Sequence, residues 1–273
     1  MTASRYQHFL LTRMNTATPF GSPRACLDHE WLRHRFALFE TYTLPSVKGQ
    51  QSADFEWLLF THEQTPEEFR QRLESYQRNC PLIRIVRCVE FDEEVARQQV
   101  LRHCRPDVSH VITSRVDNDD ALGSSFMASV QREFRAQDGE FINFELGFQL
   151  HQGRVYRAEH PANPYCSAIE SKAGFRGVFC VAHIDIASVY PVKQVRDRRR
   201  WLTVIHDRNA LNQVDGERCT SRKLSEEFGF LGATPFEDGR LLIAADVVKR
   251  RLRAAHAESH KLRQLFGRKP RAD

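Results

Sequence analysis

The fold of this protein is decided by SHVITSRVDNDDAL, residues 109–122. The opening SHVIT has the apolar, β-branched composition of a buried strand. The acidic turn Asp117-Asn118-Asp119-Asp120 follows it almost at once. In open α/β sheets, ligands bind outside the carboxyl ends of the strands. The stretch therefore predicts a sheet strand that delivers charged groups to a binding edge.

Strand-like and helix-like patterns alternate on the amino-terminal side of this stretch. Asp28 is expected to cap a helix with Leu32 and Phe36 on its apolar face, and Pro45 is expected to end that helix. This β-α-β-α order predicts an α/β fold with a Rossmann-like, mostly parallel sheet flanked by helices. The predicted strands are 8–12, 56–60, 82–88 and 109–113, and the predicted helices lie between them and at 124–135.

The pattern changes after residue 140, where strand-like segments follow one another closely. Gln152-Gly153 is predicted to be a hairpin turn between two of them. These segments predict a smaller antiparallel section on the acceptor side of the sheet. We expect one catalytic domain, residues 1–245, and a basic helical extension, residues 246–273. The strands predicted here are 141–144, 148–151, 155–157 and 179–186.

Charge is distributed unevenly along the 273 residues. The net charge is +5, but residues 249–273 carry nine Lys or Arg against two acidic residues. The body of the chain therefore gives no reason to expect nucleic-acid binding. The seven cysteines form no CxxC pair, which argues against a zinc site or a disulfide framework. A cytoplasmic enzyme is the default expectation.

The acidic turn predicts a site for a hard divalent cation. Three carboxylates in four residues repel one another unless a cation or hydrogen-bond donors offset their charge, and oxygen ligands suit Mg²⁺ or Mn²⁺. Such an ion can hold a diphosphate and neutralise charge as it leaves. The alternative is a solvated turn in which Asp120 caps the following helix.

Several segments resemble known glycosyltransferases. LPSVKGQ at 44–50 before DFEWLLF, and HVITSRVDNDDAL at 110–122, resemble the glycosyltransferase-A fold and its DxD motif. The order and spacing of further segments across residues 8–212 resemble the bacterial rhamnosyltransferase family. These segments are HFLLTRMN, WLLFTHEQTP, SRVDNDDAL, NPYCSAIE and WLTVIHDRNALN.

The resemblance implies roles for individual residues. Asp117 and Asp119 match the DxD motif, which binds the metal and the nucleotide sugar, and Asp120 extends it. His206 matches a later histidine that ligates the metal or the diphosphate. The resemblance also implies donor contacts at strand ends, beside the DxD motif and after the histidine, made by Arg13, Thr61, Arg115 and Asn209.

Transfer to a hydroxyl needs a base that removes its proton. Glu170 is the preferred candidate because it lies between the DxD motif and the late histidine, and Asp185 is the second. Glu145 and Glu159 stay open. In an inverting enzyme this base is usually a carboxylate on the acceptor side, and inversion is the expected outcome.

These observations predict a metal-dependent glycosyltransferase that moves a sugar, with rhamnose implied by the family, from a nucleoside diphosphate to a saccharide or glycolipid acceptor. One alternative is a nucleotidyltransferase or phosphatase that uses the same acidic edge, although no Walker-type loop is present. Another is a non-catalytic nucleotide-sugar-binding protein. The basic residues 249–273 predict peripheral contact with the inner membrane face, and a solvated chain end is the alternative.

Overall fold

A computed structural model describes residues 5–17, 25–209 and 213–248. The helices are α1 (His29–Leu38), α2 (Leu44–Lys48), α3 (Glu67–Asn79), α4 (Glu93–His103), α5 (Phe126–Arg132) and α6 (Ile186–Val189). The strands are β1 (Tyr6–Asn15), β2 (Glu56–His62), β3 (Ile83–Cys88), β4 (His110–Arg115), β5 (Ala121–Leu122), β6 (Glu140–Phe144), β7 (Leu146–His151), β8 (Arg154–Glu159), β9 (Ser167–Ser171), β10 (Val192–Val195), β11 (Trp201–Ile205) and β12 (Glu217–Cys219). Residues 240–248 are also helical.

The larger sheet has the strand order β10-β6-β9-β4-β1-β2-β3. Strands β3, β2, β1 and β4 are all parallel, whereas β9 runs antiparallel to both β4 and β6. The order 3-2-1-4 is that of a Rossmann-like half. The strands are added outward on one side of β1 and then on the other, so the strand order reverses between β1 and β4. The predicted α/β fold with a Rossmann-like, mostly parallel sheet is confirmed, and the reversal of strand order lies beside the acidic turn.

The strands of the larger sheet are buried on both faces. Leu10 and Leu59 pack into one apolar cluster with α1 and α3, whereas Phe9, Leu58 and Phe60 pack into a second cluster with α4. Residues that alternate along a strand point to opposite faces, so an almost wholly apolar strand predicts helices on both sides. The predicted covered parallel sheet forms for this reason.

The second sheet has the order β12-β8-β7-β11-β5 and is antiparallel except between β7 and β11. The hairpin at Gln152-Gly153 is confirmed, and both residues have positive φ, at 49° and 72°. A type I′ turn needs this geometry because it matches the twist of the strands. The predicted smaller section is therefore present.

Two local predictions were wrong. Residues 179–185 form a loop and Ile186 begins α6, because Phe179 packs on the guanidinium group of Arg115 and the ring of Phe91 and not in a sheet. Pro45 does not end the first helix. The chain passes through a π-helical turn, Phe39–Thr43, into α2, where Pro45 occupies the first turn and therefore breaks no hydrogen bond.

The extension predicted at 246–273 lies almost wholly outside the described residues, and its helical pattern begins earlier, at residue 240. Within the described ranges, none of the helices has the length and apolar character needed to cross a bilayer.

Candidate functional site

The acidic turn lies where β1 and β4 end side by side. Arg115 is the last residue of β4 and pairs with Leu11 of β1, and Arg13 follows two residues later on β1. Asp117 lies between the two arginines. Nη2 of Arg13 is 3.2 Å from Oδ1 of Asp117, and Nη2 of Arg115 is 3.9 Å from Oδ2. The sheet topology thus brings together three of the predicted site residues.

The charge of Asp117 is stabilised by these arginines. Partial burial raises the pKa of Asp117, but the positive charges of Arg13, Arg115 and Arg35 lower it, and the net pKa lies below the ordinary value. Asp117 is therefore held as an anion that neutralises the guanidinium groups beside it.

Phe179 covers both guanidinium groups. Its ring centroid is 4.6 Å from the guanidinium carbon of Arg115 and 5.6 Å from that of Arg13, and Phe91 lies 5.8 Å from Arg13 on another side. Aromatic faces attract cations and fix the plane of a guanidinium. Nε of Arg115 is buried and has no hydrogen-bond partner among the described residues. Arg115 is therefore fixed in place while keeping unused donor capacity.

Asp119 faces a different set of side chains. Its Oδ2 accepts hydrogen bonds from Arg35 of α1 and from the side-chain amide of Asn209 at 3.4 Å, and lies 3.1 Å from Nε2 of His206. Its Oδ1 makes no hydrogen bond to any described residue. Three of the predicted residues, Asp119, His206 and Asn209, are thus in contact.

The turn is held from below by the segment between α1 and β2. Thr43 donates a hydrogen bond to the carbonyl of Asp120 at 2.8 Å. Gln50 donates to the carbonyl of Gly123 at 2.8 Å, and Ser46 accepts from the backbone of Leu122 at 3.3 Å. The LPSVKGQ segment therefore positions the chain that follows the acidic residues, and this contact explains why the two segments occur together.

Asp120 uses both carboxylate oxygens within the protein, and its role as a metal ligand stays a prediction. Its Oδ1 accepts from the backbone N–H of Val204 at 2.8 Å, and its Oδ2 accepts from the hydroxyl of Tyr165 at 2.7 Å. Burial, together with the carboxylates of Asp119 and Asp117, raises the pKa of Asp120 well above its ordinary value. Asp120 does not cap the next helix either. It ties the turn to β11.

Glu170 is not placed to act as the base. It is buried on β9 opposite Val111, near the amino end of β4, so about 13 Å of strand separates it from the end at Arg115. Its carboxylate accepts hydrogen bonds from the backbone N–H groups of Gly177 at 2.9 Å and Arg176 at 3.1 Å. This position follows from the direction of β9, because an antiparallel strand carries its later residues away from the carboxyl edge.

The side chain of Thr61 lies within the sheet. It is buried at the end of β2, and its hydroxyl lies 3.5 Å from the carbonyl of Val86. Glu145 and Glu159, the other carboxylates left open as bases, both form ion pairs with Arg196. None of the three presents a free group to the acidic turn.

Asp185 is exposed, at the end of the loop that carries Phe179. Burial and the charge of Arg115 lower the pKa of the intervening His183, whereas Asp117 and Asp185 raise it. His183 therefore lies within electrostatic range of both carboxylates. Of the two predicted bases, only Asp185 has an exposed carboxylate.

The predicted metal ligands fit a divalent ion only in part. Asp119 and His206 are 3.1 Å apart, close to the ~3 Å between neighbouring ligands of an octahedral ion. Asp117 is turned toward the arginines, and no three of Asp117, Asp119, Asp120 and His206 bring ligand atoms within 4.8 Å of one another. Among the described residues, the group that meets this criterion is His34, His206 and Asp207.

Reasoning from the sequence missed residues that tertiary contacts bring to the site. Arg35 joins the site from α1 and also holds Asn118, at 3.2 Å. His34 lies 3.5 Å from His206, and Phe179 covers the arginines. The one local signal is that Arg35 interrupts the apolar stripe of its helix, since it lies four residues after Trp31 and three after Leu32.

Comparisons with known proteins give one family and several structures of similar shape. A family model described as "Putative rhamnosyl transferase" matches residues 20–218. No curated protein sequence matches significantly. The structure of S. aureus TarS is similar with a TM-score of 0.45 and 8% identity, over 73% of this chain and 37% of that one.

The TarS 1–349 structure in complex with UDP-GlcNAc has a TM-score of 0.45 and 10% identity, over 74% of this chain and 60% of that one. The TarS 1–349 complex with UDP gives 0.45 and 10%, over 73% and 60%. This chain thus spans between about a third and three fifths of these structures. On the family match, which covers most of its length, the chain belongs to the "Putative rhamnosyl transferase" family.

Proposed function

We propose that this protein is a glycosyltransferase that moves a sugar from a nucleoside diphosphate to a hydroxyl group of an acceptor. The observation that carries the proposal is the meeting of Arg13 and Arg115 with the acidic turn at the switch point between β1 and β4. A nucleoside-diphosphate sugar needs cationic groups at its phosphates and hydrogen-bonding groups at its sugar. This edge of the sheet holds the guanidinium groups for the first and the carboxylates of the acidic turn for the second.

Arg13 and Arg115 hold the diphosphate in this proposal. Guanidinium groups bind phosphate oxygens in pairs and stay charged at all working pH values. When the donor is absent, Asp117 neutralises Arg13 across 3.2 Å. A phosphate oxygen that displaces this carboxylate gains the contact without moving the arginines, because Phe179 and Phe91 fix their planes. The leaving diphosphate is stabilised by the same charges.

Mg²⁺ or Mn²⁺ remains part of the proposal, held by Asp119 and His206, with the free Oδ1 of Asp119 as the available oxygen. A bound ion would supply Lewis-acid stabilisation of the departing diphosphate. Asp117 contacts both arginines when no donor is bound. It orients Arg13 and Arg115. Asn209 supports His206, since its side-chain oxygen accepts the backbone N–H of His206.

Asp185 is the proposed base. It is exposed and lies on the same loop as Phe179, so an acceptor that approaches over this loop meets the carboxylate first. An inverting displacement requires the acceptor to approach opposite the departing diphosphate, with a base beside it. The family description supports rhamnose as the sugar. The proposed acceptor is a hydroxyl group of a saccharide or a glycolipid.

The first test is a panel of nucleotide sugars, including nucleoside-diphosphate rhamnose, screened for protection against thermal unfolding. A bound donor stabilises the folded state in proportion to the logarithm of its concentration over Kd. Release of nucleoside diphosphate is then measured with Mn²⁺, with Mg²⁺ and with EDTA. Protection with release of nucleoside diphosphate supports glycosyl transfer. Release of pyrophosphate would instead identify a nucleotidyltransferase, and protection without turnover a binding protein.

A further inference from the structure

The helical residues 240–248 present an apolar face that nothing described covers. Leu241 is 86% exposed, Leu242 57% and Val248 56%. Ala244 and Ala245 are exposed as well. At 100° per residue these five positions form one continuous arc of about 160°. Between 241 and 248, every exposed side chain is therefore apolar.

The opposite face of the same helix is joined to the body. Asp246 forms an ion pair with Arg218, which is buried on β12 and also donates to the carbonyl of Glu237 at 2.9 Å. Ile243 and Val247 are partly buried on this side. A buried arginine that loses its carboxylate is costly, so the pair fixes which face of the helix points outward. The apolar arc is thus presented by the fold.

The sequence that follows is strongly basic. Residues 249–273 contain nine Lys or Arg and two acidic residues, beginning with Lys249, Arg250 and Arg251. An apolar helix face followed directly by basic residues is the combination by which interfacial helices bind anionic membranes. The apolar face supplies burial among the acyl chains, and each basic residue near an anionic surface adds about 1 kcal/mol. A neutral surface would gain no electrostatic attraction from these basic residues, whereas an anionic lipid surface would.

We propose that the apolar arc of residues 241–248 docks on an anionic lipid surface, with the basic residues after it at the lipid headgroups. Residues 241–248 lie in the plane of the surface, where their apolar arc contacts the acyl chains. This proposal is independent of the reaction at the acidic turn, because docking needs neither donor nor acceptor.

The experiment is vesicle flotation with the full chain. Vesicles of phosphatidylcholine alone are compared with vesicles containing one third phosphatidylglycerol, at low and high salt. The wild-type protein is expected to float with the anionic vesicles at low salt and to dissociate at high salt, because screening shortens the reach of the basic residues. Binding to phosphatidylcholine should be weak at both.

Two variants test the two parts of the surface. Leu241→Glu with Val248→Glu removes the apolar contact, and a loss of at least tenfold in binding is expected. The control is Val89→Glu with Val189→Glu, which alters two residues that are 56% and 61% exposed elsewhere. Reversal of Lys249, Arg250 and Arg251 to Glu should weaken binding by about a hundredfold or more. Its charge-matched control reverses Arg78, Arg87 and Arg102, which are exposed on α3, β3 and α4.

Thermal unfolding of each variant verifies that it is folded. Absence of wild-type binding to anionic vesicles would overturn the proposal, and so would undiminished binding of the Leu241 and Val248 variant. If light scattering shows a wild-type dimer that this variant dissociates, the arc is an interface between two copies. If the charge-matched control weakens binding equally, net charge and not this surface is responsible, and the proposal fails.

Discussion

The two ends of β1 carry the same ion pair in different surroundings. At the amino end, Arg5 lies 3.1 Å from Asp107, and at the carboxyl end, Arg13 lies 3.2 Å from Asp117. The first pair is 71% and 51% exposed and borders an open groove of about 500 Å³. The second is 30% and 33% exposed and is surrounded by Phe91, Phe179 and another arginine.

This difference shows that the neighbourhood, and not the ion pair, identifies a site. An exposed pair contributes little because water and salt screen it. At the carboxyl end, partial burial strengthens the electrostatic interaction between the charged groups, and the aromatic rings fix the guanidinium planes. A phosphate can therefore replace the carboxylate of Asp117 without rearrangement of the arginines. The groove at the amino end has neither property. Matched substitutions at the two ends can test this conclusion.

The largest effect is expected for Asp119→Asn. The substitution keeps the shape of the side chain but removes the charge that faces Arg35 and His206. Turnover of the donor should fall about 10²–10³-fold, since charge stabilisation of a leaving diphosphate is worth several kcal/mol. Initial rates at saturating donor measure the effect. The control Asp107→Asn, at the amino end, should keep the wild-type rate, and an equal loss in both variants would contradict the assignment.

The second effect concerns Arg13→Lys. Lysine keeps the charge but loses the planar fork and the packing between Phe91 and Phe179. The KM for the donor should rise by about 10–100-fold, the value of one charge-assisted hydrogen bond of roughly 1.5–3 kcal/mol, with a smaller change in kcat. Steady-state kinetics against donor concentration measure it. Arg5→Lys is the partner variant, and a comparable rise in its KM would mean that the groove at the amino end binds the donor.

A smaller effect is expected for Glu170→Gln, and it falls on stability. The glutamine keeps one oxygen for the backbone N–H groups of Gly177 and Arg176 and loses the other, so unfolding should become easier by about 1–3 kcal/mol. Turnover at 25 °C should stay within about twofold of wild type. Chemical denaturation and kinetics on the same sample separate the two readouts. A large loss of kcat with normal stability would restore Glu170 as the base.

The smallest effect is the pH dependence of that stability. Burial raises the pKa of Glu170, and the backbone N–H groups of Gly177 and Arg176 oppose this only in part. A raised folded-state pKa contributes stability below the unfolded value of about 4.3, and this contribution is lost as the pH rises through the folded-state pKa. The loss in free energy of unfolding caused by Glu170→Gln should therefore be largest near pH 4 and smaller toward pH 7. A disadvantage that grows with pH would mean that the carboxylate is stabilised as an anion.

Much of the fold could be predicted because its signals are local. Apolar five-residue runs predicted the parallel strands, and Asp28 caps α1 as expected, accepting from Trp31 N–H at 2.8 Å. The acidic turn was found for the same reason, since it follows a strand directly. The prediction of metal binding by Asp117, Asp119 and His206 remains to be tested by the metal and EDTA experiments.

The errors arose where a residue's role depends on a distant partner. Asp119 and Asp120 are neighbours with the same side chain, yet one meets Arg35 and His206 whereas the other meets Tyr165 and Val204. Sequence spacing does not distinguish them, because each contact joins residues about 40 to 90 positions apart. The position of Glu170 likewise depends on the direction of β9, which its local sequence does not show.

The sequence alone determined that the chain alternates between strands and helices, that its sheet is covered on both faces and that charge collects after the fourth strand. These properties follow from periodicity and burial, which neighbouring residues express together. Only the tertiary structure decided which carboxylates face donors within the protein and which stay free, and which arginines meet at the end of β1. A buried charge requires a partner, and chain folding alone brings that partner to it.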